Sequence, residues 1–204
     1  MPRSVFVLTP YAGEPMDRLE RSLDSVVGAD CVWGTHGSLP KTINALAAEA
    51  ISKGATHLCW LSTGDTLHRA RFDRELPELT GQCCLVDVHR PDGVMTLPDT
   101  SKDWRRLMYM DNQICGTGMV VPVLTWEELG GFDERLTYCS DWEFTLRLQH
   151  TYGWWLVEEV LATAHEYEDG MTRSAQMDTV KARARHRDRG KVAGRAFRMR
   201  KYGC

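Results

Sequence analysis

The sequence predicts an α/β protein with a mostly parallel central sheet flanked by helices, closed by a basic C-terminal helical tail. Two observations predict this. Short apolar runs alternate with helix-spaced segments across short connections, the pattern of a doubly wound sheet. The charge is also divided: ten of the 25 Lys and Arg residues lie from Lys181 onward with a single acid, Asp188. The body before Lys181 therefore holds 15 basic residues against 27 acidic ones.

Taken in order, Ser4 to Thr9 is a β-branched and aromatic run that ends at Pro10, a buried strand. Met16 to Val27 places Met16, Leu19, Leu23, Val26 and Val27 at helical spacing before Gly28. Asp30 to Gly34 is a brief second strand. Lys41 to Lys53 is a helix with Ile43, Leu46, Ala47, Ala50 and Ile51 on one face and Gly54 at its C-terminus. His57 to Leu61 is a third strand, and Ser62-Thr63-Gly64-Asp65 follows it directly. Cys83 to His89 and Val94 to Leu97 flank the turn Arg90-Pro91-Asp92-Gly93 as a hairpin. Ile114 to Val121 is a glycine-bearing strand, Thr125 to Leu129 a short helix ending at Gly130-Gly131, Asp141 to Tyr152 a helix, and Trp154 to Leu161 the last strand. The tail is helical from Ser174, its N-cap. Neither an internal repeat nor a low-complexity linker interrupts the chain, so it divides into one domain over 1–172 and the tail over 173–204.

Composition excludes several classes. With 204 residues, 43% apolar and 26% charged, the chain can bury a sizeable core. Its N-terminal apolar run, Val5-Phe6-Val7-Leu8, is too short for a signal peptide, and no stretch approaches the roughly 20 residues of a membrane span. Seven cysteines, with no Cys-x-x-Cys pair, suit reduced thiols better than a disulfide framework or a zinc site, and the expected compartment is the cytoplasm. The basic tail either meets an anionic partner or offsets the acidic body as a solvated helix.

In an open α/β sheet, ligands bind beyond the carboxyl ends of the strands. That rule directs attention to the loops after Leu8 and Leu61. Beyond them, Asp141 and Glu143 sit at the start of a helix, where acids cap backbone N–H groups and meet the positive dipole end. A capping carboxylate can also face a pocket and accept a proton.

Several strings, in this order, resemble family-2 glycosyltransferases with the GT-A fold, a Rossmann-like architecture. They are Val5-Phe6-Val7-Leu8-Thr9-Pro10-Tyr11, Asn44 within Ile43-Asn44-Ala45-Leu46, and Gly116-Thr117-Gly118-Met119-Val120. Gly130-Gly131-Phe132-Asp133-Glu134, Asp141-Trp142-Glu143-Phe144-Thr145-Leu146-Arg147-Leu148 and His165 complete the set, which spans roughly residues 4 to 170. The resemblance implies transfer of a sugar from a nucleotide-diphosphate donor to an acceptor hydroxyl, with inversion by direct displacement. It implies Asp141 as the base and Glu143 as the second choice. It implies donor contacts at Thr9, Tyr11, Glu14 and Asn44. It implies Mn²⁺ or Mg²⁺ held by Asp65 and His165. Apart from the resemblance, Arg105 and Arg106 lie in a segment placed to fold over the donor, where an arginine can bind phosphate directly and offset missing carboxylates.

Two stretches depart from that family's pattern. Val32-Trp33-Gly34-Thr35-His36 stands where a D-D-x-S motif is usual, and Ser62-Thr63-Gly64-Asp65 keeps one carboxylate of the metal-binding D-x-D. The reading from a different class is accordingly a catalytically reduced GT-A-like module that binds a nucleotide sugar or nucleic acid. The acceptor is left open between a modified nucleic-acid base and a surface glycan or lipid, since the tail (Lys181 to Lys201) suits either a phosphate backbone or anionic headgroups.

Overall fold

The computed structural model describes residues 3–167 and 179–202, with side chains of the second stretch described from 181 to 200. The chain runs β1 (Val5–Pro10), α1 (Met16–Asp24), β2 (Asp30–Gly34), α2 (Leu39–Ser52), β3 (His57–Trp60), β4 (Thr66–Leu67), β5 (Gly81–Arg90) and β6 (Gly93–Leu97). It continues through α3 (Trp104–Leu107), β7 (Val120–Pro122), α4 (Val123–Leu129), α5 (Ser140–Thr151) and β8 (Trp154–His165) to α6 (Thr179–Tyr202). The expected N-cap Ser174 and the 172/173 boundary lie outside the described residues.

Among the described residues the sheet has eight strands in the order β2-β1-β3-β7-β5-β8-β4, with β6 paired to β5. It is mixed, which corrects the expectation of a mostly parallel sheet. Strands β2, β1, β3, β5 and β8 share one direction, while β7, β6 and β4 run against them. The reason is local. A parallel neighbour needs a crossover of a dozen or more residues, and single-helix crossovers of that kind link β1 to β2 and β2 to β3. Beyond β3 the connections change: β5 returns into β6 through the tight turn that pairs Arg90 with Gly93, and β7 slots antiparallel between β3 and β5.

Both faces of the sheet are covered, so β1 is buried throughout and apolar from Val5 to Leu8. Phe6 and Leu8 point into one core with Ile43, Leu46 and Trp60, while Val5 and Val7 point into the other with Cys59, Leu61 and Val86. Ile43 and Leu46 are almost wholly buried, each contributing about 1.5–3 kcal/mol by leaving water.

Three polar ties position the working edge of the sheet. Arg71 is fully buried and has no acid among its hydrogen-bond partners. Its guanidinium donates instead to the Gly118 carbonyl (Nε, 2.8 Å) and to Gln82 Oε1 (2.6 Å), holding the turn before β7 against the start of β5. Asp65, 5% exposed, accepts the His165 backbone N–H at 2.9 Å and the Thr117 hydroxyl, fastening the loop after β3 to the end of β8. Asn44, on α2, accepts the Phe132 N–H at 2.9 Å and donates to the Phe132 carbonyl at 3.0 Å. The same Asn44 explains Gly131: at φ 66° that backbone is left-handed, and a Cβ there would stand 2.7 Å from Asn44 Oδ1.

Two outcomes are expected from these ties. Arg71→Met keeps most of the volume but strands the Gly118 and Gln82 acceptors, and should cost about 2–4 kcal/mol in urea unfolding. Burial raises the Asp65 carboxyl from 3.8 to about 6, ahead of the opposing hydrogen bonds from Thr117 and His165. A raised acid makes the folded state bind more protons than the unfolded one, so its contribution is full below about 3.8 and is lost as pH rises to about 6. Asp65→Asn should therefore gain melting temperature relative to the native chain across that interval, with a constant difference above it.

Candidate active site

The carboxyl ends of β1, β3 and β8 open on one cavity of about 690 Å³. Its walls come from the loop after β1, the loop after β3, the start of α5, the end of β8 and one face of α6. This is where the strand-end rule places a ligand.

The loop after β1 contributes Tyr11 and Glu14. Glu14 Oε2 accepts the Ala12 N–H at 2.7 Å and so folds the loop on itself. Tyr11 lies edge-on to Trp33 at 6.1 Å between ring centroids, and Trp33, on β2, is half exposed. Thr9 is fully buried, with its hydroxyl toward the Cys31 thiol at 3.9 Å, outside the cavity lining.

The loop after β3 is held from below by Ser22 of α1, whose hydroxyl accepts the Gly64 N–H at 2.8 Å and donates to the Asp65 carbonyl at 2.8 Å. Gly64 has φ 94°, and a Cβ on it would lie 2.6 Å from the Tyr167 ring. No side chain fits beside Asp65 at that position. The residues present do not fit a divalent cation held by Asp65: both its oxygens are engaged, by the Thr117 hydroxyl and by the His165 N–H. Among the described residues no group of three His, Cys, Asp or Glu side chains is arranged to hold one. The His165 ring lines the cavity and lies 5.0 Å from the His89 ring; burial first, then the His89 charge, lowers its pKa.

The two expected acids separate. Asp141 lines the cavity and accepts from Asn112 Nδ2 at 2.8 Å. Burial raises its pKa, opposed by the backbone amides of Trp142 and Asp141 and by the Asn112 hydrogen bond. It is not the N-cap of α5; that position belongs to Cys139, whose left-handed φ of 60° turns the chain into the helix. Glu143 lies 3% exposed outside the cavity lining, between Arg147 (2.8 Å) and Arg195 (2.7 Å). Asn44, Arg105 and Arg106 also lie outside it. Asn44 is used in the tie to Phe132, while Arg105 stacks on Trp104 at 4.3 Å and donates to the Trp154 carbonyl at 3.1 Å.

Sequence reasoning missed Asn112, Arg18, Tyr167, Arg185 and Arg189, all on the cavity wall. Arg18 and Tyr167 stack at 3.8 Å. A signal for the last two existed: Arg185, Asp188, Val192, Arg195 and Ala196 recur at three- and four-residue spacing, one helix face. Masked by the surrounding charge run, that face reads from sequence as solvated. In the structure Asp188, Val192 and Ala196 are fully buried.

No protein-family model and no curated protein matches this sequence. Solved structures do. Residues 1–349 of S. aureus TarS in complex with UDP-GlcNAc superpose with a TM-score of 0.62 at 9% identity, over 97% of this chain and 73% of that one. The same segment in complex with UDP gives 0.61 at 9% identity, over 96% and 71%. A longer TarS structure gives 0.60 at 10% identity, over 88% of this chain and 39% of that one. At such identities the likeness is one of fold: a GT-A-like glycosyltransferase fold, without support for family 2 in particular.

Proposed function

We propose that the chain transfers a sugar from a nucleoside-diphosphate sugar, with UDP-sugars the first to test, to an acceptor hydroxyl. The observation that carries this reading is Asp141: a partly buried carboxylate in the cavity at the strand ends, in a fold shared with a protein captured with UDP-GlcNAc. Tyr11, braced edge-on by Trp33, offers a face for the base. Asp141 takes the acceptor proton as the acceptor oxygen attacks the anomeric carbon. Direct displacement inverts that carbon. Asn112 fixes the carboxylate's orientation through its 2.8 Å hydrogen bond. Since the residues around Asp65 do not suit a divalent ion, no step is routed through a metal.

A binding module sharing this fold would hold the donor without turnover, and substitution separates the two readings. A panel of nucleotide sugars, assayed for donor hydrolysis and transfer, should yield at least one turned-over donor. Asp141→Asn should then lower kcat by about 10²–10⁴-fold while donor affinity changes little. Because Asp141 must be ionised to act and burial raises its pKa, activity should fall as pH drops through that raised value. Glu143→Gln should instead lower stability by about 3–5 kcal/mol, since it leaves Arg147 and Arg195 without their buried partner. Failure of every donor to bind or react would overturn the reading.

A further inference from the structure

We propose that Arg185 and Arg189 of α6 form the site that binds the donor's diphosphate and stabilises its departure, in place of a divalent cation. The inference rests on the donor-site reading above. Its starting point is a charge conflict. Glu14, Asp65, Asp111, Asp141 and Glu166 all border the cavity, and a diphosphate entering among carboxylates needs fixed positive charge. Among the described residues three arginines line it: Arg18, Arg185 and Arg189. Two of these come from one face of α6, four residues apart and so one turn from each other.

Their position is built rather than incidental. Between them, Asp188 is fully buried and accepts the backbone N–H groups of Thr137 (2.9 Å) and Tyr138 (3.2 Å). One and two turns further, Val192 and Ala196 are fully buried, and Arg195 bridges Glu143 and Asp133 at 2.7 Å each. The helix is thus locked to the segment that leads into Asp141, and Arg185 and Arg189 extend the same stripe onto the cavity wall. Arg189 is steered by Asp111 at 2.9 Å. Arg185 has no ion pair among the described residues, though its charge is felt at Asp141 and Cys139.

The chemistry balances without a metal. The acceptor oxygen bonds to the anomeric carbon and its proton passes to Asp141. The bond from that carbon to the diphosphate oxygen breaks, and its electron pair leaves with the diphosphate. Guanidinium N–H groups suit that load because they present planar paired donors to phosphate oxygens and stay protonated.

The test is calorimetric titration of UDP and of uridine into the full chain, in EDTA and again with Mn²⁺. The inference predicts UDP binding in EDTA, weakened about tenfold or more by Arg185→Gln and further by adding Arg189→Gln. Uridine affinity should change less than about twofold, because it lacks the phosphates. Arg183→Gln, which removes an equal charge outside the cavity, should leave UDP binding intact. Arg185→Gln breaks no ion pair among the described residues, so it carries the test if the double variant does not fold, and Arg185→Lys should recover part of the loss. UDP binding that requires Mn²⁺, or that ignores both arginines, overturns the inference and leaves the donor-site reading standing. No binding of UDP in either buffer, nor of GDP, ADP or CDP titrated in the same way, overturns both.

Discussion

The docking of α6 is the constraint on which the site depends. One buried carboxylate, Asp188, satisfies two backbone N–H groups at Thr137 and Tyr138. Buried amides without partners are costly, so this contact fixes the loop as well as the helix. The loop leads to Cys139, whose left-handed backbone starts α5, and two residues later to Asp141 on the cavity wall. A second contact repeats the logic with charge. Arg195 joins Glu143 and Asp133, and Arg147 carries the network on to the carbonyls of Leu129 and Gly131. From Gly131 and Phe132 it reaches Asn44 and α2. The cavity wall and the sheet-covering helix are therefore parts of one hydrogen-bonded frame.

That frame also assigns the two carboxylates of the α5 start to different tasks by environment alone. Asp141 keeps a neutral partner, Asn112, and faces the cavity, where burial holds its proton more tightly. Glu143 meets two guanidinium groups out of the cavity and is consumed by structure. Asp65 is a third case: its oxygens are spent on Thr117 and on the backbone of His165, so it joins two strand ends. The basic tail resolves in part by the same accounting of partners. Arg189 and Arg195 pair with acids of the body, Asp111, Asp133 and Glu143, so two of the ten basic residues are matched by the body they lie on.

Sequence periodicity exposed what local spacing controls. The β1-α1-β2-α2-β3 unit was legible because apolar runs and helical faces alternate there, and the strand-end rule located the cavity before any side chain was placed. Strand direction beyond β3 was not legible, since β7 is three residues long and its pairing with β3 and β5 depends on partners far along the chain. The division between Asp141 and Glu143 was hidden for a related reason: two residues apart on a helix they face different ways, and Arg195, far along the chain, joins Arg147 in burying Glu143 among ion pairs. Thr9 and Asn44 were chosen by resemblance to positions in a sequence pattern and Arg105 by its affinity for phosphate, and each is bound into contacts outside the cavity lining. Arg185 and Arg189 escaped notice because ten basic residues in a short stretch obscure the helical stripe within them.

The most direct measurement is a crystal structure of the chain with UDP bound. The account predicts the uracil against Tyr11, the diphosphate within hydrogen-bond distance of Arg185 and Arg189, and Asp141 facing the vacant sugar position beyond the phosphates. A nucleotide seated outside this cavity, or a diphosphate held by a cation on Asp65 and His165 with the α6 arginines turned away, would contradict it.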